Sequence, residues 1–170
     1  METTEKPKPI KRNENLVPLS REHHFGLLFS WKIRQGLAKN INRETVKSYV
    51  RYFWEKQLRE HLATEERLLA TLLFPKDAMR VQLEDEHREI ENKISEILSG
   101  NNDSDKNLLY LADFLTQHIR FEEREMFPYL ELKFTPEQLA GIGDELMHRH
   151  APAEEEFVPE FWLRDYKETE

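Results

Sequence analysis

The sequence contains no cysteine, and only five of its 170 residues are glycine. The lack of cysteine excludes disulfides, iron–sulfur clusters, thiolate zinc sites and cysteine nucleophiles. Any metal ion must therefore be bound by histidine, carboxylate or water. The glycines form no G-x-G-x-x-G pattern, and neither a phosphate loop nor a nucleophilic triad motif is present. These absences argue against a nucleotide cofactor.

Long apolar runs and an excess of positive charge are also missing. No run approaches the roughly 18 residues of a membrane span, and the first residues contain no apolar signal core. The formal net charge is -8, whereas proteins that bind phosphate backbones usually have a basic face. We therefore expect a cytoplasmic protein that binds neither membranes nor nucleic acids.

The residues that are present predict an all-α protein. Charged residues make up 34% and apolar residues 38% of the chain, a balance typical of soluble helical proteins. Apolar residues recur every three or four positions in four long segments, at about 20–39, 43–73, 77–99 and 105–132. Four such helices with short connections predict an up-down antiparallel four-helix bundle over residues 16–134.

The two ends of the chain differ from this central region. Residues 1–15 are polar, charged and proline-bearing, and we expect them to form a flexible tail. Thr135-Pro-Glu-Gln138 is a capping box with proline at the first helical position, which predicts a short fifth helix at about 136–147. The rest of the extension, within 135–170, contains aromatic residues that should fold back over the bundle.

A histidine followed four residues later by a glutamate pair occurs twice. The two copies are His61-x3-Glu65-Glu66 and His118-x3-Glu122-Glu123. In a helix, residues i and i+4 lie about 40° apart around the axis and one turn apart along it. Helical periodicity places the first glutamate of each pair on the apolar face and the second, Glu66 or Glu123, toward water. We expect replacement of the water-facing pair to have little effect.

Each of the four predicted helices has one histidine on its apolar face. Together with the two inward glutamates they form a candidate metal site of six residues: His23, His61, Glu65, His87, His118 and Glu122. A single histidine on an apolar face is more often a hydrogen-bonded core residue, and a single His-x3-Glu is usually a solvated pair. Burying two carboxylates and four imidazoles together without a cation, however, would cost many kcal/mol. The repetition therefore favours a metal site.

The composition of this site favours two metal ions over one. Six ligands exceed the four of a tetrahedral zinc site, and two carboxylates can each bridge two cations while the histidines divide two to each. Imidazole with carboxylate is a normal ligand set for non-haem iron. We predict two iron ions with a bridging oxide or hydroxide, although pairs of zinc or manganese ions fit the same residues.

Three further residues have both a functional and a structural interpretation. Periodicity places Glu125 inward, where it could support the metal site or pair with an arginine. His148 and His150 could form a second metal site, but they follow the predicted bundle. We favour a structural or metal-supporting role for Glu125 and surface positions for the two histidines.

These motifs together resemble the hemerythrin-like proteins of the HHE cation-binding family over about residues 16–130. The resemblance is carried by Leu19-Ser-Arg-Glu-His23, Glu86-His87 and the two His-x3-Glu-Glu copies, followed by Leu73-Phe74-Pro75 and Met126-Phe127-Pro128 respectively. It implies an up-down four-helix bundle holding a non-haem di-iron centre, with Glu65 and Glu122 as bridging carboxylates.

The sequence departs from the oxygen-carrying hemerythrins at one position. Those proteins have a fifth histidine one turn before the third-helix histidine, where this chain has Leu83. The remaining set of four histidines and two glutamates more closely resembles bacterial di-iron proteins implicated in iron-centre repair and nitric oxide handling, and iron- and oxygen-sensing domains. The cysteine-bearing segment of the repair proteins is absent, which places that particular role in doubt.

The leading interpretation is therefore a di-iron protein that binds oxygen or nitric oxide for sensing, storage, detoxification or iron-centre repair. No catalytic residue is assigned, and a binding protein is favoured over a dedicated enzyme. One alternative is a ferritin-like di-iron oxidase or ferroxidase, which uses Glu-x2-His; that spacing occurs at Glu84/His87 and Glu145/His148. Another is an iron-dependent regulatory interaction domain. Reversible or irreversible reaction with oxygen and nitric oxide would separate a carrier or sensor from an enzyme.

Overall fold

The computed structural model describes residues 11–149, 152 and 154–169, and this part of the chain forms helices and no strand. The all-α prediction is thus confirmed. None of the described helices is long and apolar enough to cross a membrane. The elements are α1 (Val17–Ala38), α2 (Arg43–Phe53), the π-helical turn π1 (Trp54–Leu58), α3 (Arg59–Leu68), a 3-10 turn (Ala70–Leu72), α4 (Ala78–Leu98), α5 (Asp105–Phe121), the π-helical turn π2 (Glu122–Met126), α6 (Phe127–Lys133) and α7 (Pro136–His148).

Side-chain caps define where several helices begin. Asn42 accepts a hydrogen bond from the backbone of Glu44, and Asp77 accepts one from Met79. Ser104 caps α5 in the same way, which satisfies an N–H group that has no partner inside the helix. The predicted fifth helix is confirmed as α7, because Thr135 and Gln138 form both hydrogen bonds of a capping box.

Two apolar clusters lie on either side of a buried polar layer. The first cluster includes Phe29, Ile90 and Leu115, and the second includes Leu19, Leu83 and Met126. Along α1 and α4 the chain passes from the second cluster to the first, whereas along α2–α3 and α5–α6 it passes in the opposite direction. Contacts of α1 with α5, of α5 with α4, of α4 with α2 and of α2 with α1 place these elements around a common core.

The C-terminal extension packs on the first apolar cluster. Phe161 is fully buried, and its ring lies 5.5 Å from that of Tyr49, while the Phe157 ring lies 5.1 Å from Tyr49. A Cβ atom on Gly36 would lie 2.9 Å from Phe161, so this position requires glycine for the close approach. The expectation that the aromatic residues of the extension fold back over the bundle is confirmed.

Part of the segment expected to be a flexible N-terminal tail contacts the bundle. Residues 1–10 lie outside the described residues, but Arg12 is nearly buried and bonds to Glu123 and Glu131. Its guanidinium also lies 5.0 Å from the centre of the Phe127 ring. Contacts with the bundle therefore include residues that the polar composition assigns to a flexible tail, because Arg12 bonds to two carboxylates and packs on an aromatic face.

The two π-helical turns change which residues face the core, and one of them corrects the predicted face of Glu125. A π turn contains one more residue than an α turn, so residues after it move to a different side of the helix. Within π2, Met126 is buried and Glu125 is exposed, whereas helical periodicity places Glu125 inward. Within π1, the polar Gln57 is buried beside Leu58. Sequence periodicity assumes a constant α-helical turn and cannot detect such a shift.

Both carboxylate oxygens of Asp77 should contribute to the stability of the fold. One oxygen caps α4, and the other accepts a 2.6 Å hydrogen bond from the Tyr129 hydroxyl. We expect Asp77→Ala to lower the free energy of unfolding by about 1–2 kcal/mol, measured by urea denaturation. Asp77→Asn retains the capping oxygen and should lose less.

Comparison of wild type with Asp77→Asn also tests how the free energy of unfolding depends on pH. Burial alone would raise the pKa of the Asp77 carboxyl, but the Tyr129 hydroxyl and backbone N–H groups lower it. A lowered pKa gives stability that is present above the unfolded value of 3.8 and is lost as pH falls through the folded value. The difference between wild type and Asp77→Asn should therefore shrink below about pH 4, and a constant difference down to pH 2 would contradict it.

Candidate metal centre

The buried polar layer consists of the six residues that form the sequence-predicted site. α1 positions His23, α3 positions His61 and Glu65, α4 positions His87, α5 positions His118, and π2 begins with Glu122. All six side chains are buried, and both glutamates are completely inaccessible to solvent. The helices therefore bring together residues that lie up to 99 positions apart in the chain.

The six residues form two overlapping groups, each suited to one cation. The first group comprises His23, His61, Glu65 and Glu122, and the second comprises Glu65, Glu122, His87 and His118. Within each group the ligand atoms all lie within 4.8 Å of one another. Both groups use the same two glutamates, so each carboxylate faces two histidine pairs.

The orientation of Glu65 directs one oxygen toward each pair. Its Oε1 lies 2.9 Å from His61 Nε2 and 3.2 Å from His23 Nε2, whereas its Oε2 lies 3.2 Å from His87 Nε2. A carboxylate whose two oxygens face two separate imidazole pairs has the arrangement of a bridging ligand.

Glu122 has the same orientation from the opposite side of the bundle. Its Oε2 lies 2.6 Å from His23 Nε2, and its Oε1 lies 2.6 Å from His118 Nε2. The two glutamates thus face the histidines as a matched pair, which agrees with the repeat in the sequence.

Several inward-facing atoms of this layer have no hydrogen-bond partner among the described residues. They are Glu65 Oε2, His87 Nε2, His118 Nε2 and both carboxylate oxygens of Glu122. Some lie close together, but the approach angles are not those of hydrogen bonds. Buried polar atoms are rarely left unpaired in native proteins. Converging nitrogen and oxygen lone pairs are the arrangement that a metal cation satisfies, so the residues fit such an ion.

The ionisation of the layer indicates a need for positive charge. Burial alone would lower the pKa of His61, but the Glu65 carboxylate and a hydrogen bond to Glu22 raise it to about 9. Burial likewise opposes ionisation of Glu122, yet the neighbouring histidines hold the pKa of its carboxyl well below the ordinary value. The carboxylates thus stay charged, and either protons on the imidazoles or metal cations must balance them.

The second glutamate of each pair contacts a histidine instead of facing only water. Glu66 Oε1 accepts a 2.9 Å hydrogen bond from His87 Nδ1, and Glu123 Oε1 accepts one of 2.7 Å from His23 Nδ1. The sequence interpretation assigned both glutamates to solvent and is wrong on this point. Each of them lies at the border between the buried and the exposed face of its helix, where its carboxylate contacts a histidine on the neighbouring helix.

The glutamates that directly precede His23 and His87 contact the other two histidines. Glu22 lies 3.4 Å from His61 Nδ1, and Glu86 lies 3.4 Å from His118 Nδ1. Each of the four histidines thus has one carboxylate at Nδ1, which leaves Nε2 as the nitrogen that faces the polar layer. Such partners fix the tautomer and orientation of a ligating imidazole. The Glu-His dipeptides at 22–23 and 86–87 were the sequence signal for this role.

Two arginines reinforce these contacts on one side of the layer. Arg12 bonds to Glu123, the partner of His23, and Arg149 bonds to Glu22, the partner of His61. Both arginine side chains are nearly buried. The corresponding carboxylates at His87 and His118, Glu66 and Glu86, form no ion pair with an arginine among the described residues, so the surroundings of the two groups differ.

An apolar cavity adjoins the polar layer. The centre of a water-sized molecule can occupy about 20 Å³ of this cavity. This is room for a molecule of one or two non-hydrogen atoms. Its walls include Phe53, Leu62 and Ile119, and they include His23, His61 and His118 but not His87. A small molecule in this cavity would lie beside the first group of candidate ligands.

The other candidate residues lie elsewhere. Glu125 is exposed, and the exposed His148 donates through Nδ1 to the backbone carbonyl of Asp144. His150 lies outside the described residues. Within the described part of the chain, residues suited to a cation are found only in the two groups above.

Comparison with known proteins identifies the family. Residues 19–130, about two thirds of the chain, match the family described as Hemerythrin, hemerythrin HHE cation binding domain. No curated protein and no solved structure gives a significant match. The matched region begins four residues before His23 and ends eight residues after Glu122, so it contains the whole polar layer. The chain belongs to the hemerythrin HHE cation-binding family.

Proposed function

We propose that the six residues bind two iron ions and that the protein binds a small diatomic oxidant, oxygen or nitric oxide, beside them. The observation that carries this proposal is the pair of four-residue groups that share Glu65 and Glu122. Two shared carboxylates and two histidines for each ion form a symmetric site for a metal pair, with an oxide or hydroxide from water as a further bridge. Membership of the hemerythrin family supports iron over zinc or manganese.

The four-histidine set leaves room for an added ligand at each ion. Leu83, at the position of the fifth histidine in oxygen carriers, is completely buried in an apolar cluster and offers no donor atom. Two histidines and two shared carboxylates supply four protein ligands to each ion, whereas iron commonly takes up to six. Exchangeable positions at both ions suit reaction with a small oxidant.

The chain's own residues would supply orientation and exclusion of water. Bound iron would supply reversible one-electron chemistry at each of two positions. The four outer carboxylates, those that contact Nδ1 of a histidine, are Glu22, Glu66, Glu86 and Glu123. They hold the imidazoles with Nε2 inward, and the apolar walls around His23 and His61 admit a small uncharged molecule better than an ion.

We further infer an up-down bundle, supported by the alternate directions in which successive helices cross the polar layer. We also infer a cytoplasmic protein.

A regulatory role is the second candidate, and the two arginines favour it. Arg12 lies before α1 in the chain and Arg149 follows α7. They bond to Glu123 and Glu22, the carboxylates that contact His23 and His61. Iron occupancy could therefore change how these segments pack. The ferritin-like oxidase has less support, because Glu145 and His148 are exposed and Glu84 is paired with Arg80.

Metal analysis tests the proposal directly. Purified protein reconstituted anaerobically with ferrous iron should contain about two irons per chain, and oxidation should produce the visible absorption of an oxo-bridged iron pair. Adding oxygen and then nitric oxide to the reduced protein should change this spectrum reversibly for a carrier or sensor. A single zinc ion, or no iron after reconstitution, would overturn the proposal.

Replacing an inward ligand should remove metal and stability together. We expect His61→Ala and Glu122→Ala each to lower iron content by at least about half, since each removes a ligand from a buried site. Melting temperature in the presence of iron should fall in parallel. Glu125→Ala is the matched control because Glu125 is exposed three residues after Glu122. Equal iron content in all three variants would contradict the assignment.

The outer carboxylates should affect how tightly iron is held. Glu66→Gln and Glu123→Gln replace the acceptors of His87 and His23 with weaker ones, and we expect iron affinity to fall about 10- to 100-fold. A competition titration with a chelator measures this change. Glu91→Gln, at an exposed position on α4, serves as the control. If Glu66→Gln and Glu123→Gln match the control, the Nδ1 contacts have no role in binding.

A further inference from the structure

We propose that the contact between Gly26 and Ile119 sets the size of the molecule that the apolar cavity can hold. The proposal rests on the proposed function, because it concerns which ligands fit beside that same site. It assigns a specificity-determining role to two residues that are not among the six candidate metal ligands.

Both residues line the cavity and lie next to a candidate ligand in the chain. Gly26 follows His23 by three residues on α1, and residues three apart lie on the same side of a helix. Ile119 directly follows His118 on α5. The two histidines line the cavity as well, so an occupant would lie beside the wall residues and the candidate ligands together.

The absence of a side chain at Gly26 lets Ile119 approach α1 closely. A Cβ atom on residue 26 would lie 2.7 Å from Ile119 Cδ1 and 3.9 Å from Leu115 Cδ2. Non-bonded carbon atoms prefer a separation of about 3.5–4.0 Å, so the first distance requires a shift and the second does not. Ile119 Cδ1 therefore occupies space that a larger residue at position 26 would fill with its own side chain.

A methyl group added at position 26 should take its volume from the cavity. The atoms nearest to the added Cβ belong to Ile119 and Leu115, and both of these side chains line the cavity. Cδ1 is the end of a flexible side chain, so it can move while the backbone stays in place. Protein interiors are packed as densely as organic crystals, and the adjoining cavity is the void that the displaced methyl group can enter.

The small size of the cavity makes one methyl group decisive. Room for one or two non-hydrogen atoms suits oxygen or nitric oxide, whereas azide and nitrite have three such atoms and a charge. The apolar walls, which include Phe53, Leu58 and Leu62, also oppose entry of a charge. A single methyl group therefore amounts to a large part of the space that a ligand can use.

Nitric oxide binding to the iron-loaded, reduced protein tests the proposal. We expect Gly26→Ala to bind nitric oxide at least about tenfold more weakly, as one methylene in an apolar pocket predicts. Ile119→Val removes Cδ1 and should bind it at least as well as wild type. The double variant should return to within about twofold of wild type, because valine leaves room for the added methyl group.

Two matched controls make the same substitutions away from the cavity. Gly141→Ala adds a methyl group to α7, where the added Cβ would meet no described atom within 4 Å. Ile94→Val removes a methyl group from a buried residue of the first apolar cluster that is not part of the cavity wall. Both variants should bind nitric oxide as wild type does.

A second measurement avoids iron chemistry. Dissolved oxygen is paramagnetic and broadens the NMR signals of methyl groups near it, and the full chain loaded with diamagnetic zinc can be studied under oxygen pressure. The methyl signals of Leu62, which lines the cavity and is changed in none of the variants, should broaden in wild type. This broadening should be lost in Gly26→Ala and recovered in the double variant.

The outcomes separate this proposal from the proposed function. Iron-loaded wild type that binds neither nitric oxide nor oxygen would overturn the proposed function, while the broadening of Leu62 would still decide the role of Gly26. Unchanged nitric oxide affinity and unchanged broadening in Gly26→Ala would overturn the size role alone. Weaker binding that Ile119→Val does not restore would also overturn it, since the effect would then not arise from this contact. If Gly26→Ala fails to fold, Ile119→Val alone should increase the broadening, and no increase would overturn the proposal.

Discussion

The burial of two glutamates between two apolar clusters is the constraint on which the rest of the structure depends. Glu65 and Glu122 have no solvent exposure, and an isolated carboxylate at such a depth would lose several kcal/mol of hydration. Positive charge must therefore be present at this level of the helices. The four imidazoles bring it either as protons or as coordinated cations, and their Nδ1 contacts favour the second arrangement by leaving Nε2 free to face inward.

The helices that carry these residues could be predicted because their apolar spacing is regular and long. The same periodicity located the six inward residues, since a histidine or glutamate within an apolar stripe is conspicuous. The outer carboxylates could not be recognised in this way. Whether Glu66 faces water or His87 depends on the distance and rotation between neighbouring helices, which periodicity along one helix does not contain. Arg12 was missed for the same reason, because its partners lie more than 100 residues away.

The two π turns account for the remaining differences. Periodicity placed Glu125 inward and gave no role to Gln57, and both residues lie within a π turn. In π2 the extra residue allows the fully buried Met126 to fill the second apolar cluster just before Phe127-Pro128. Pro128 lacks an N–H group and cannot continue the hydrogen bonding of the preceding turn, so a local irregularity at this position has a clear cause. No comparable proline lies near π1, and Gln57 within that turn lines the cavity.

A symmetric ligand set need not produce two equivalent metal positions. Each group has two histidines and shares both glutamates, as the sequence repeat predicts. However, the cavity reaches both histidines of the first group and only His118 of the second. Arginines also neutralise the carboxylates behind His23 and His61, which makes those carboxylates weaker acceptors and their imidazoles poorer electron donors. If two ions bind as proposed, the one held by His23 and His61 would therefore be the more accessible and the more electron-deficient of the two. Leu83 supplies no donor atom, so neither position gains a third histidine, and the cavity and the two arginines distinguish the two groups.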